Sequence, residues 1–129
     1  MVTGRIKRLR EGKMATGKTA KVVAKNIRVS PRKLNLLAQQ IRGKKVQKAL
    51  DILAFSEKRV AETVHKALRS VIANAENNHN MDIDYLVIDE SYVGKALTLR
   101  RFQAKAKGRG VGIRKPFSHL TITVREQEA

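Results

Sequence analysis

The chain contains no cysteine and no tryptophan, and only 4% of its 129 residues are aromatic. The absence of cysteine excludes a disulfide scaffold, cysteine-ligated zinc, an iron–sulfur cluster and thiol catalysis. The scarcity of aromatic side chains argues against a row of stacking surfaces for single-stranded nucleic acid. No apolar run approaches the ~20 residues that a membrane-spanning helix needs. Function must therefore be sought in the charged residues.

Acidic residues are also scarce, and the charge is unevenly distributed. There are 28 Lys and Arg against 11 Asp and Glu, for a formal net charge of +17 and an isoelectric point near 10.9. Residues 1–33 carry eleven cations and one acid, residues 34–94 carry eight of each, and residues 95–115 carry eight cations and no acid. Because like charges repel and oppose a compact state, this excess implies a polyanionic partner. Nucleic acid is the first candidate, and an anionic membrane surface is the second.

Helix signals predict three helices in the middle of the chain. Ser30 followed by Pro31 is typical of an N-cap and a first helical residue, and Gly43 provides the stop signal. A second, short helix follows. Ser56 is expected to cap a third, longer helix. The Asn-rich run 74–80 is expected to end this helix, because asparagine tolerates the left-handed conformation.

Alternating and β-branched runs predict strands at 20–29, 84–93 and 118–125, so the fold class is α+β in a single domain. Between the last two strands lie residues 94–117, far more than a hairpin turn needs. This stretch is either a disordered loop or a long hairpin that becomes ordered on a partner. Ten residues each way would reach roughly 30 Å from the body. Residues 1–19 are expected to form a basic extension that is disordered in the free protein.

Residues 12–19 match the phosphate-binding loop of nucleotide-dependent enzymes, but the segments on either side of them do not fit such a loop. Residues 12–19 fit the pattern G-x-x-x-x-G-K-[ST], and Asp89 ends an apolar run. Such a loop holds phosphates between a buried strand and the N-terminus of a helix. Here residues 5–10 are too charged for a buried strand, and the segment that follows is β-branched and interrupted by Pro31. We therefore predict no enzyme activity, no catalytic residue and no cofactor.

A metal site and a DNA-binding helix-turn-helix are two further kinds of site for which the sequence offers candidate residues. His65, His79 and His119 have no ligand-type neighbour three or four residues on, so no metal site is predicted. A basic DNA-binding or nucleoid protein is the alternative function, since residues 31–41 and 46–54 resemble a helix-turn-helix. The second of these helices, however, offers few polar groups that could read base edges.

Six short motifs follow one another between residues 30 and 124. They are S-P-R-K at 30–33, I-R-G-K-K-V at 41–46, A-L-D-I-L at 49–53, I-A-N-A-E-N at 72–77, A-K-A-K-G-R at 104–109 and S-H-L-T-I-T-V at 118–124. Together they resemble the bacterial large-subunit ribosomal protein family numbered twenty-two, over about residues 20–125. The chain departs from the family at Lys105, where Arg is commoner, and in the glycine-rich run 110–112.

The resemblance implies a body of three helices and a small antiparallel three-stranded sheet, with a protruding β-hairpin arm at about 94–117. In the family the body lies near the exit of the nascent-peptide tunnel, and the arm runs through large-subunit (23S-type) rRNA to the tunnel wall. The implied role is structural: rRNA binding, subunit assembly and tunnel lining, in the cytoplasm. The implied partners are that rRNA, neighbouring large-subunit proteins and the nascent polypeptide, with no membrane and no homo-oligomer.

Site residues are expected on both the body and the arm. Contacts to rRNA are expected from Arg28, Ser30, Arg32, Lys33, Arg42, Lys44, Lys45, Lys95, Arg100, Arg101, Lys105, Lys107, Arg109, Arg114, Lys115, Ser118 and His119. The tip that lines the tunnel is expected to comprise Arg101, Phe102, Gln103, Ala104, Lys105, Gly108, Arg109 and Gly110. The acid-free segment 95–115, found from charge alone, coincides with the arm that the resemblance implies.

Overall fold

The structure, a computed structural model, describes residues 18–127. The elements are strand β1 (Thr19–Ile27), helices α1 (Pro31–Ile41), α2 (Val46–Ala54) and α3 (Ala61–His79), and strands β2 (Leu86–Ala104) and β3 (Gly110–Glu126). Short 3₁₀ turns, Ile83–Tyr85 and Ala106–Gly108, precede β2 and β3. The extension predicted at residues 1–19 lies outside the described residues except for Lys18 and Thr19.

Helix α1 begins and ends where its flanking residues predict. Ser30 is extended at the N-cap position and Pro31 stands in the first turn, although the Ser30 hydroxyl makes no capping hydrogen bond. Gly43, just past the end, is left-handed with a φ of +76°. One face of the helix is buried, at the spacing of an amphipathic helix: Leu34, Leu37, Ala38 and Ile41.

Helix α3 begins later than the sequence predicts, because Ser56 does not cap it. The first helical residue is Ala61. Ser56 instead accepts a hydrogen bond from the Lys58 N–H at 3.4 Å, a local side-chain bond that favours a turn over a helix. At the other end the helix runs through most of the Asn-rich segment to His79. Asn80 then adopts the left-handed conformation with a φ of 51°, as that segment predicts.

The three strands form one antiparallel sheet in the order β1–β3–β2. The second strand starts at Leu86 rather than at residue 84, because Ile83–Tyr85 form a 3₁₀ turn. The Asp82 carboxylate stabilises this turn by accepting a hydrogen bond from the Asp84 N–H at 3.1 Å. Strand β3 is central, so it pairs with both neighbours over the body of the protein.

The core lies between the sheet and the helices. Leu120, Ile122 and Val124 of β3 are at most 1% exposed, and they pack with apolar side chains from α1 and α3. Burying one such side chain contributes roughly 1.5–3 kcal/mol. No residue between 92 and 117 is buried. The hydrophobic stabilisation of the fold therefore resides in the body, and the arm adds little to it.

A β-bulge in β1 marks where the three-stranded body ends. The register with β3 shifts between Ala24 and Ile27, and Ile27 is the last residue of β1. Within the bulge Asn26 is left-handed, with a φ of 57°, and its N–H donates to Nδ1 of His119 at 3.2 Å. Strand β1 therefore ends at this bulge, and only β2 and β3 continue outward from the body.

The continuation of β2 and β3 is a two-stranded arm. A second register shift lies between Lys95 and Thr98 of β2, and pairing then runs from Thr98 opposite Pro116 to Ala104 opposite Gly110. These seven pairs extend for roughly 20 Å. Of the two alternatives that the sequence leaves for this stretch, the structure shows the long hairpin.

Candidate nucleic-acid interface

The arm places like charges directly opposite one another. Arg100 pairs with Arg114 across the hairpin, so their side chains leave the same face of the two strands. On the other face Lys115 lies opposite Leu99. Like charges in such a pair destabilise a hairpin, and residues 95–115 contain no Asp or Glu to offset them. The arm therefore carries positive charge that no residue of segment 95–115 compensates.

All the cations predicted on the arm are exposed. They are Lys95, Arg100, Arg101, Lys105, Lys107, Arg109, Arg114 and Lys115. The body cations Arg28, Arg32, Lys33, Arg42 and Lys45 are exposed as well, and Lys44 is half-buried. The charged groups that the sequence singles out are thus accessible to a partner on both parts of the molecule.

The tip of the arm is a closed turn that carries three cations. The Lys105 N–H donates to the Arg109 carbonyl at 2.7 Å and closes the turn. Inside it Lys107 and Gly108 are both left-handed, with φ values of 60° and 67°. This conformation costs a non-glycine residue roughly 1–2 kcal/mol. The turn therefore holds Lys107 in a conformation that it would rarely adopt in a free chain.

An aromatic ring covers one glycine next to this turn. Phe102 is 78% exposed, yet its ring lies over Gly110, and a Cβ at position 110 would collide with the ring. The residue directly opposite Gly110 is Ala104, so the ring reaches Gly110 diagonally across the hairpin. Two of the predicted tip residues, Phe102 and Gly110, are thereby in contact, and the ring lies against the backbone.

The turn between α1 and α2 is attached to the edge of β2. The Gly43 N–H donates to the Ile88 carbonyl at 2.9 Å, and the Ile88 N–H donates to the Lys44 carbonyl at 3.0 Å. Nε and Nη2 of Arg42 donate to the Ser91 carbonyl at 3.1 and 2.6 Å. These bonds cover an otherwise open strand edge. They also hold the Arg42 guanidinium in place while leaving some of its five N–H donors for a partner.

Two predicted contact residues serve the fold. Ser118 is 0% exposed, and its hydroxyl donates to the Val29 carbonyl at 2.7 Å. The Ser118 hydroxyl is therefore engaged within the fold and is not accessible to a partner in this structure. His119 is half-buried, and its Nδ1 accepts the hydrogen bond from Asn26. In a neutral ring the proton is then on Nε2, which is the atom left to contact a partner.

A groove of about 530 Å³ lies where the arm leaves the body. Its lining includes Arg28, Ser30, Lys33, Lys58, Arg59 and Pro116. Three of these, Arg28, Ser30 and Lys33, are predicted contact residues, but Lys58 and Arg59 are not. Sequence reasoning missed this pair because it lies in the charge-balanced middle of the chain, next to Glu57. The only sequence signal for this part of the groove is the pair of adjacent cations, and a run of two cations does not distinguish a binding site from an ordinary exposed surface.

Helix α2 does not offer a face that could read bases. Its exposed polar side chains are those of Gln47, Lys48 and Asp51. The Gln47 amide donates to the Asp84 carboxylate at 3.2 Å, so it is engaged within the protein. The opposite face is core and consists of Val46, Ala49 and Leu53. The helix-turn-helix alternative therefore lacks the donors and acceptors that its recognition helix would need.

The described residues do not build a nucleotide or metal site. Thr19, the last residue of the phosphate-loop pattern, begins strand β1 where that motif needs a helix. Asp89 lies beside Arg125, with 3.4 Å between its Oδ1 and the arginine Nε. Within residues 18–127 no three His, Asp or Glu are grouped to hold a metal ion. In the same range, no helix combines the length and the apolar character needed to cross a bilayer.

Fold and interface together define a small, basic α+β protein of the nucleic-acid-binding class, with a cationic two-stranded arm. The model of the family described as "Ribosomal protein L22p/L17e" matches residues 22–125. The chain belongs to this family, which confirms the resemblance found in its motifs.

Relatives named "Large ribosomal subunit protein uL22" are similar over most of this chain. The Methylobacterium nodulans protein is 64% identical over 110 residues, covering 85% of this chain and 87% of that protein. The protein from Methylobacterium radiotolerans is 59% identical over 120 residues, covering 89% and 94%. The protein from Agrobacterium fabrum is 60% identical over 109 residues, covering 84% of each chain.

Proposed function

We propose that this chain is a structural, non-enzymatic constituent of the bacterial large ribosomal subunit, and hence a cytoplasmic protein, that binds large-subunit rRNA. The observation that carries the proposal is the arm, an exposed two-stranded hairpin with eight cations and no acid. Membership of a ribosomal protein family supplies the class of polyanion. Neighbouring large-subunit proteins are the further partners we propose for the body.

The proposed mechanism is electrostatic. Cations on the arm neutralise backbone phosphates of rRNA and release condensed counterions, which favours binding in a salt-dependent way. The guanidinium groups of Arg100 and Arg114 repel each other in the free protein because the two residues lie opposite one another. A phosphate bound between them offsets this repulsion with its negative charge. The turn around Arg42 adds cations from the body. Binding at both places links several rRNA segments through one small protein, which supports assembly of the subunit.

We further propose that the tip of the arm lines the nascent-peptide tunnel and contacts the growing polypeptide. The support is its shape: the turn closed by Lys105 and Arg109 lies beyond the last paired residues and is fully exposed. Phe102, resting on Gly110, adds an apolar surface next to these cations. A short, closed turn of this kind can form part of a wall without entering a core.

Binding to rRNA as a function of salt tests the proposal. If about eight phosphates are engaged, the logarithm of the affinity should fall against the logarithm of the salt concentration with a slope of roughly −6 to −7. Arg100→Gln/Arg114→Gln should make this slope shallower by about one to two. Lys48→Gln/Arg69→Gln removes the same charge from α2 and α3 and is the matched control. Equal affinity for rRNA and duplex DNA at raised salt would favour the DNA-binding alternative.

A further inference from the structure

The groove at the base of the arm is lined by charges of one sign. Four of its lining residues are cations, Arg28, Lys33, Lys58 and Arg59, and none is an acid. They come from three separate parts of the chain: the end of β1, the first turn of α1 and the connection before α3. Glu62 lines an adjoining groove, but its carboxylate is 3.1 Å from the Lys66 ammonium.

One of these cations is held in place before any ligand binds. Nη1 of Arg28 donates to the Pro116 carbonyl at 3.1 Å, and the guanidinium carbon lies 5.6 Å from the centre of the Phe117 ring. The carbonyl uses one of five N–H donors, so the remaining donors are oriented by the contact rather than consumed by it. Since Pro116 also lines the groove, Arg28 joins the groove directly to the first residues of the arm.

Two helices begin at the rim of the groove and add to its positive potential. Ser30 holds the N-cap position of α1, and its hydroxyl makes no capping hydrogen bond. Val60 holds the N-cap position of α3, where the Ala61 N–H donates to the Lys58 carbonyl at 3.0 Å. The first N–H groups of a helix have no partner within the helix, and its N-terminus is the positive end of the dipole. The helix N-termini add to the positive potential of the groove, but most of that potential comes from the four cationic side chains.

We propose that this groove binds phosphates of an rRNA backbone and thereby holds the arm in its direction relative to the body. The inference rests on the proposed function for the identity of the polyanion. A volume of about 530 Å³ suits a phosphate with its adjoining sugars. The six lining residues named above include no aromatic side chain that could stack on a base. A backbone phosphate is therefore favoured over a free nucleotide, which shares the same phosphate chemistry.

The first test compares Lys58→Gln/Arg59→Gln with Lys48→Gln/Arg69→Gln in the full chain. All four side chains are exposed, and the charge lost is the same in both variants. The groove variant should make the salt slope of rRNA binding shallower by about one to two. It should also weaken binding roughly tenfold near 0.15 M salt, with less than a twofold effect in the control. Equal effects of the two variants, or none in either, would overturn the assignment of the groove.

The second test uses the natural absence of cysteine, which allows a radical source to be tethered at a single introduced thiol. With the probe at Glu57→Cys, cleavage of rRNA should cluster in one region and should fade when Lys58 and Arg59 are also replaced. A probe at Gln103→Cys should still cut next to the arm. Cleavage from the arm probe alone would refute the groove while sparing the proposed function. Cleavage from neither probe, with a shallow salt slope, would refute both.

Titration with inorganic tripolyphosphate and with ATP separates the two sources of phosphate. We expect no saturable binding of either compound in the micromolar range. Micromolar binding that Lys58→Gln/Arg59→Gln abolishes would assign the groove to a small phosphate compound and overturn the proposal of an rRNA backbone contact.

Discussion

Removing the outer part of the arm should leave a folded body. The deletion runs from Arg101 to Gly110 and joins Arg100 to Val111. Because Arg100 pairs with Arg114, the three residues 111–113 then form the new loop between opposed positions. Hairpin loops of three residues are common. The ladder from Arg100 back to the body is unaffected by the change.

The expected change in the free energy of unfolding follows from what the deleted residues bury. All ten are exposed, and the largest apolar side chain among them, Phe102, is 78% exposed. The covered fifth of a ring of ~200 Å² is roughly 40 Å², which is about 1 kcal/mol at ~25 cal/mol per Å². Loss of the strained Lys107 and of three further cations acts in the opposite direction. The net change should lie within about 1 kcal/mol of zero.

Urea denaturation followed by far-ultraviolet circular dichroism measures this free energy. Ile122→Ala in the full chain is the positive control, because it empties a fully buried site and should cost about 2–5 kcal/mol. The deletion should keep a single cooperative transition. A loss above about 2 kcal/mol, or a broad transition, would show that the arm is part of the folding unit and that the reasoning is wrong.

Three further substitutions test individual contacts. Ser118→Ala should lower the free energy of unfolding by about 1–2 kcal/mol, because the Val29 carbonyl loses its donor; an unchanged stability together with weaker rRNA binding at fixed salt would show instead that the hydroxyl contacts the RNA. Gly110→Ala should displace the Phe102 ring, seen as changed ring chemical shifts in NMR spectra, and unchanged shifts would contradict the contact. Asn80→Ala should cost about 1 kcal/mol in a urea melt while Asn80→Gly costs nothing, because the position is left-handed; equal melts would contradict this.

Local signals in the sequence were sufficient for the order of the helices and body strands and for the position of the arm, but not for its hairpin conformation. Pro31 after Ser30 and the left-handed Gly43 bound α1 because proline, glycine and capping positions act within a few residues of the chain. The acid-free segment 95–115 marked the arm because the balance of charge is a property of composition. The family could also be predicted from the sequence, because each of its motifs is a short run of consecutive residues. Ser56 failed as a cap because a competing local turn is equally compatible with its sequence.

Tertiary structure alone decided which cations lie together and which polar groups the fold uses. Lys58 and Arg59 join Arg28 in one groove because α3 packs against β1, which no spacing along the chain reveals. Alternation along the strand places Ser118 on the same face as Leu120, Ile122 and Val124, but only the folded chain supplies the Val29 carbonyl to which its buried hydroxyl donates. Burial and convergence depend on contacts between residues distant in sequence, so they are settled only when the chain has folded.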